Sequence, residues 1–82
     1  MTKLQLEQYE KIAEAILFAG GEPVDQKVVA MAMELDEDAA VAVLESLKTK
    51  YEKFEGSIEV RRYHQNFHGA YLGNNPSEEL QR

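Results

Sequence analysis

The hydrophobic period of this chain changes once, after Gly56. Before it, apolar residues recur at steps of three and one, which lays them along one face of a helix. Beyond it they alternate, as on a half-buried strand. At 82 residues the chain holds one domain at most. A single domain with helical segments first and strands last belongs to the α+β class.

Thr2 and Gln5 stand at capping-box spacing, where each side chain can satisfy a backbone N–H of the other residue. Tyr9, Ile12, Ala13, Ile16 and Leu17 then form the inward stripe of a first helix. Gly20-Gly21 stops it, because glycine takes the left-handed conformation of a C-terminal cap at little cost. Glu22-Pro23 holds the chain extended, and Pro23-Val24 has room for one short strand segment. Asp25 caps a second, shorter helix over roughly Gln26 to Glu34, with Val28, Met31, Ala32 and Leu35 facing inward. Asp36 caps a third helix, whose inward stripe is Ala40, Val43, Leu44, Leu47, Tyr51 and Phe54. Glu37 and Asp38 in its first turn, and Lys48, Lys50 and Lys53 towards its end, complement the helix dipole.

Ser57 to Tyr63 predicts a strand with Ile58 and Val60 on one face and Glu59 and Arg61 on the other. His64 to Gly69, polar and containing a glycine, predicts a loop, and Ala70-Tyr71-Leu72 the returning strand of a hairpin. Asn74-Asn75-Pro76 ends it. Three helices followed by a β-hairpin wing is the order of a winged helix. The expected domain is residues 1–73, with 74–82 a tail or the start of a further segment that Ser77 can cap.

Nine Lys+Arg against fifteen Asp+Glu give a net charge of -6 and an isoelectric point near 4.8. That surplus opposes a protein whose main task is tracking phosphate. Cysteine is absent, which removes disulfides, thiolate metal ligands and a cysteine nucleophile. No apolar run approaches the roughly 20 residues of a membrane span, and the start lacks a basic segment followed by an apolar stretch. The expected compartment is the cytoplasm. Stability rests on one small core and is about 4–12 kcal/mol by per-residue scaling.

A winged helix that reads DNA sets its third helix in the major groove. Residues 36–55 hold six acids (36, 37, 38, 45, 52, 55) against three lysines, and the acids at 36–38 sit at the end that would meet the bases. Lys48, Lys50 and Lys53 together with Arg61 and Arg62, beside Tyr63 on the wing, form the nucleic-acid alternative: a small winged-helix transcriptional regulator with salt-sensitive contacts. The plainer account is a solvated or partner-facing helix and a strand edge whose charge discourages stray pairing.

Catalysis finds no constellation. Ser46, Ser57 and Ser77 lack nucleophile-elbow glycines, and no glycine loop cradles phosphate. His64 and His68, four apart, suit a metal only on a helix, and here they fall in a predicted loop without a third ligand. Asp36-Glu37-Asp38 lacks the glycine and closing glutamate of a calcium loop. The expectation is a protein that is not an enzyme and holds neither cofactor nor metal.

The apolar surplus is more informative. Val28-Val29-Ala30-Met31-Ala32-Met33 and Ala39-Ala40-Val41-Ala42-Val43-Leu44 are each too apolar for one inward stripe. Phe18, Val29, Met33 and Val41 fall outside the stripes drawn above and are the candidate protein interface, since exposed apolar patches mark partner surfaces and methionine adapts to them. The alternative is that the stripes are rotated and these residues complete a small core.

The segment Glu14-Ala15-Ile16-Leu17-Phe18-Ala19-Gly20-Gly21-Glu22-Pro23-Val24 resembles the opening helix and turn of the ScpB family, segregation and condensation protein B. The likeness continues through Leu35-Asp36, Val43-Leu44-Glu45-Ser46-Leu47-Lys48, Tyr51-Glu52 and Ile58-Glu59-Val60, covering roughly residues 9 to 63. The run from Leu17 to Val24 is its specific part. The resemblance implies a winged-helix, non-catalytic accessory subunit of a bacterial SMC–kleisin complex. Such a subunit dimerises, binds the kleisin ScpA and, through it, an SMC ATPase, acts in chromosome condensation and segregation at the nucleoid, and makes little direct contact with DNA. Two departures stand out. The chain is too short for the second winged-helix domain of the family, which suggests an amino-terminal piece or a divergent relative. Its wing from His64 to Gly73 keeps an aromatic residue but lacks the glycine-rich turn and the basic returning strand.

Overall fold

The computed structural model describes residues 1–53 and 58–71. The expectations placed on Phe54, Leu72 and Ser77, and the boundary after residue 73, lie outside the described residues.

The chain runs α1 (Lys3–Ala19), β1 (Val24–Asp25), α2 (Gln26–Met33), α3 (Glu37–Lys53), β2 (Ile58–Tyr63) and β3 (Asn66–Tyr71). Each helix begins where its sequence offers a cap. The Thr2 hydroxyl accepts from the Gln5 N–H at 3.1 Å while the Gln5 side chain accepts from the Thr2 N–H at 2.9 Å, the expected reciprocal box. Asp25 accepts from the Lys27 N–H at 2.8 Å, and Asp36 from the Ala39 N–H at 2.7 Å. α1 ends through Gly21, which takes φ 75. α2 ends on Glu34 in the left-handed region, whose N–H turns back to the carbonyls of Ala30 and Met31.

The strands form an antiparallel sheet in the order β1-β3-β2, so the last strand is central. Val24 pairs with Phe67 on one side, and Arg62 pairs with Phe67 on the other. The helices pack over this sheet as a winged helix. The core comprises Ala13 and Leu17, then Val29, Ala30 and Met33, then Ala40, Val43, Leu44 and Leu47, closed by Val60 and Phe67 from the sheet.

Three sequence expectations are corrected here. The predicted loop from His64 to Gly69 is only a two-residue turn, His64-Gln65, because Tyr63 already pairs with Asn66. The turn was hidden because His64, not a glycine, takes the positive φ of 58. Gly69, which suggested a loop, lies in β3 for a steric reason: a Cβ there would stand 2.6 Å from three carbons of the Phe18 ring. Gly69→Ala is therefore expected to destabilise the fold by about 1–3 kcal/mol, the usual cost of overpacking. Urea melts of the two proteins would measure it, and coincident melts would mean the ring turns aside freely.

The other two corrections concern helix faces. In α1 the expected stripe holds at Tyr9, Ala13, Ile16 and Leu17, but Ile12 at its edge is 43% exposed and Glu10 is buried. In α2 the expected stripe Val28, Met31 and Ala32 faces out, with Val28 52% and Met31 78% exposed, while Val29, Ala30 and Met33 are buried. A helix turns about 100° per residue, so moving the stripe by one position carries it from solvent to core. The run 28–33 is wholly apolar, so its pattern carries no phase. In α3, where polar residues interrupt the stripe, the expected residues from Ala40 to Leu47 are buried and Tyr51 is half-buried.

Candidate protein-binding site

The five basic residues of the nucleic-acid alternative are largely engaged within the molecule. Lys48 binds Glu52 at 2.6 Å across one turn of α3. Lys50 reaches across to α1 and binds Glu10 at 2.7 Å. Arg61 pairs with Glu59 on its own strand. Arg62 donates to the His64 carbonyl at 2.8 Å, pairs with Glu45 of α3, and lies 5.1 Å from the centre of the Phe67 ring. A cation over an aromatic face adds attraction to that clamp, which fastens the wing to α3. Lys53 alone has no ion-pair partner among the described residues.

The most buried of these pairs was not legible as a site. Glu10 is 4% exposed and accepts hydrogen bonds from the Ser46 hydroxyl at 2.6 Å and the Lys50 ammonium at 2.7 Å. Burial pushes its carboxyl up, but the hydrogen bonds from Lys50 and Ser46 and the Lys50 charge outweigh it, and the net displacement is downward. The Glu10 hydrogen bond in turn holds the Lys50 ammonium above its usual value. The only sequence signal was an acid three residues before Ala13 on α1, facing a serine and a lysine on α3.

A lowered acid stabilises the fold above its unfolded value of 4.5 and loses that contribution as pH falls through the folded value. A raised lysine does so below 10.5 and loses it as pH rises through the folded value. The pair therefore contributes fully across neutral pH and fades at both extremes. Glu10→Gln is expected to cost about 1–2 kcal/mol at pH 7, since a charge-assisted bond is lost but Lys50 returns to water. The difference from the parent should shrink at pH 3. Urea midpoints at the two pH values check this; a gap of the same size at both would contradict it.

The apolar candidates are scattered. Val29 and Met33 are core residues and offer no surface. Phe18 is half-buried, its ring edge-on to Tyr51 at 6.1 Å and seated over Gly69. Val41 is half-buried on α3. The structure does not gather these four into one exposed patch. Among the described residues the exposed large apolar side chains are instead Leu4 and Ile12 on α1, Val28 and Met31 on α2, and Tyr63 on the wing, besides Met1. Locating Val28 and Met31 needed the phase of α2, which its wholly apolar run left open.

His64 is exposed at the turn and His68 half-buried in β3. Among the described residues no three metal-ligating side chains cluster. No helix there is long and apolar enough to cross a membrane.

These features define a small winged-helix protein that ties four of the five basic side chains of α3 and β2 to its own carboxylates and presents apolar side chains on the outer faces of two helices. The model of the family "Segregation and condensation complex subunit ScpB" matches residues 11–72, and the chain belongs to that family. Among solved structures it is similar to a crystal structure of the dimer of the ScpB N-terminal domain complexed with ScpA peptide. That likeness has 28% identity and a TM-score of 0.77, and covers 94% of this chain and 95% of that one. No curated protein matches.

Proposed function

We propose that this chain is a non-catalytic accessory subunit of a bacterial SMC–kleisin complex, which forms a homodimer and binds the kleisin ScpA in chromosome condensation and segregation. It works in the cytoplasm, at the nucleoid, by burying surface against protein partners. The single observation that carries this reading is the likeness, along nearly the whole of both chains, to a ScpB domain solved as a dimer with a ScpA peptide. The exposed Val28 and Met31 are consistent with a protein that leaves apolar area for partners.

No observation favours the transcriptional-regulator alternative. Four of its five basic residues hold carboxylates of the same chain, so binding phosphate there would require breaking those pairs in a protein of net charge -6. Isothermal titration of the chain with purified ScpA tests the proposal. Saturable binding is the expected result, and absence of heat at every concentration and temperature tried would refute it.

A further inference from the structure

We propose that the groove between α1 and α3 docks a basic amphipathic helix of a partner protein; this rests on the protein-binding role above and assigns it a surface. The groove encloses about 320 Å³, with Glu7, Glu10 and Glu14 along its α1 wall and Leu47, Lys50 and Tyr51 from α3. The three glutamates fall at steps of three and four, so they share one face of α1. Half-buried Tyr51 supplies apolar surface beside them, and Leu47, a core residue, closes the floor of the groove.

The acid of this wall is not balanced from within. Lys50 is already bonded to Glu10, and Glu7 and Glu14 act on it only as neighbouring charges. Neither Glu7 nor Glu14 has a hydrogen-bond or ion-pair partner among the described residues. Lys11 adds one cation to the lining, and acid still exceeds base.

Charge selects the occupant. A second copy of this chain, at net charge -6, would bring further acid to an acidic wall. A helix with lysine or arginine at two positions seven residues apart spans about 10 Å, the rise that separates Glu7 from Glu14. Apolar residues at the third and fourth positions between them would face Tyr51. Complementary charge of this kind favours the right partner and speeds encounter.

The test is titration of full-length ScpA, at 50 and 200 mM salt, into the parent chain, Glu7→Lys/Glu14→Lys, and the control Glu22→Lys/Glu34→Lys. The control makes the same change of net charge at exposed positions outside the groove. The groove variant is expected to bind at least tenfold more weakly than the parent at 50 mM salt. The control should bind like the parent, and parent binding should weaken at the higher salt. Circular dichroism confirms that each variant is folded. Equal affinities for parent and groove variant, or equal losses in both variants, would overturn the groove while leaving the ScpA-binding role intact. No binding by the parent would overturn that role and the groove with it.

Discussion

Val29→Glu and Met33→Glu are expected to destabilise the protein by several kcal/mol, enough to unfold it at the lower end of its stability range, whereas Val28→Glu and Met31→Glu should leave its circular dichroism and urea midpoint nearly unchanged. Val29 is wholly buried and Met33 is 4% exposed, both within the single core that joins the three helices to the sheet. A carboxylate at either place has no cation to meet among the buried side chains, and an unpaired buried charge costs several kcal/mol even after relaxation. Set against about 4–12 kcal/mol for a chain of this size, that cost unfolds the protein at the lower end of the range and lowers its urea midpoint sharply at the upper end. Val28 and Met31 lie on the outer face of the same two turns, where a surface substitution usually shifts stability by about 0.5 kcal/mol or less. Far-ultraviolet spectra and urea melts of the four variants decide it. Folded Val29→Glu beside unfolded Met31→Glu would mean that α2 is rotated the other way.

Phe67→Ala is the second large effect. Phe67 is among the largest fully buried side chains and sits on the central strand, paired in register with Val24 on one side and Arg62 on the other. Its loss opens a cavity between sheet and helices and removes the face on which Arg62 rests. Truncating a buried phenylalanine costs about 3–5 kcal/mol. The urea midpoint should fall sharply, and at the lower end of the stability range the protein should be largely unfolded without denaturant. Arg62→Ala, which removes only the clamp, should cost far less. Equal losses for the two would place the importance of Phe67 in the cation contact and not in the core.

Much of the architecture was legible because it is written in local chemistry. Thr2, Asp25 and Asp36 act as caps through short side chains whose oxygens reach the N–H groups of the first turn, and the interrupted stripe of α3 fixed its own phase. What could not be read is non-local. Whether Val28 or Val29 faces inward depends on how α2 seats against α3, and a run without polar residues does not encode it. Gly69 suggested a turn, yet it is a strand residue made small by Phe18, fifty-one positions earlier. Glu10 seemed one acid among many on a helix surface until packing placed Ser46 and Lys50 against it. The interface residues inherited the same ambiguity of phase. Family membership was legible in the run from Leu17 to Val24, because that helix end and turn combine two glycines and a proline in a specific order.

The central claim is that this protein acts by associating. Light scattering on a sizing column, with the chain alone and then mixed with ScpA, tests it most directly. The account predicts a mass twice the 9.3 kDa of one chain, and with ScpA a heavier peak containing both proteins. A species of one chain's mass that does not co-elute with ScpA at any ratio would contradict it.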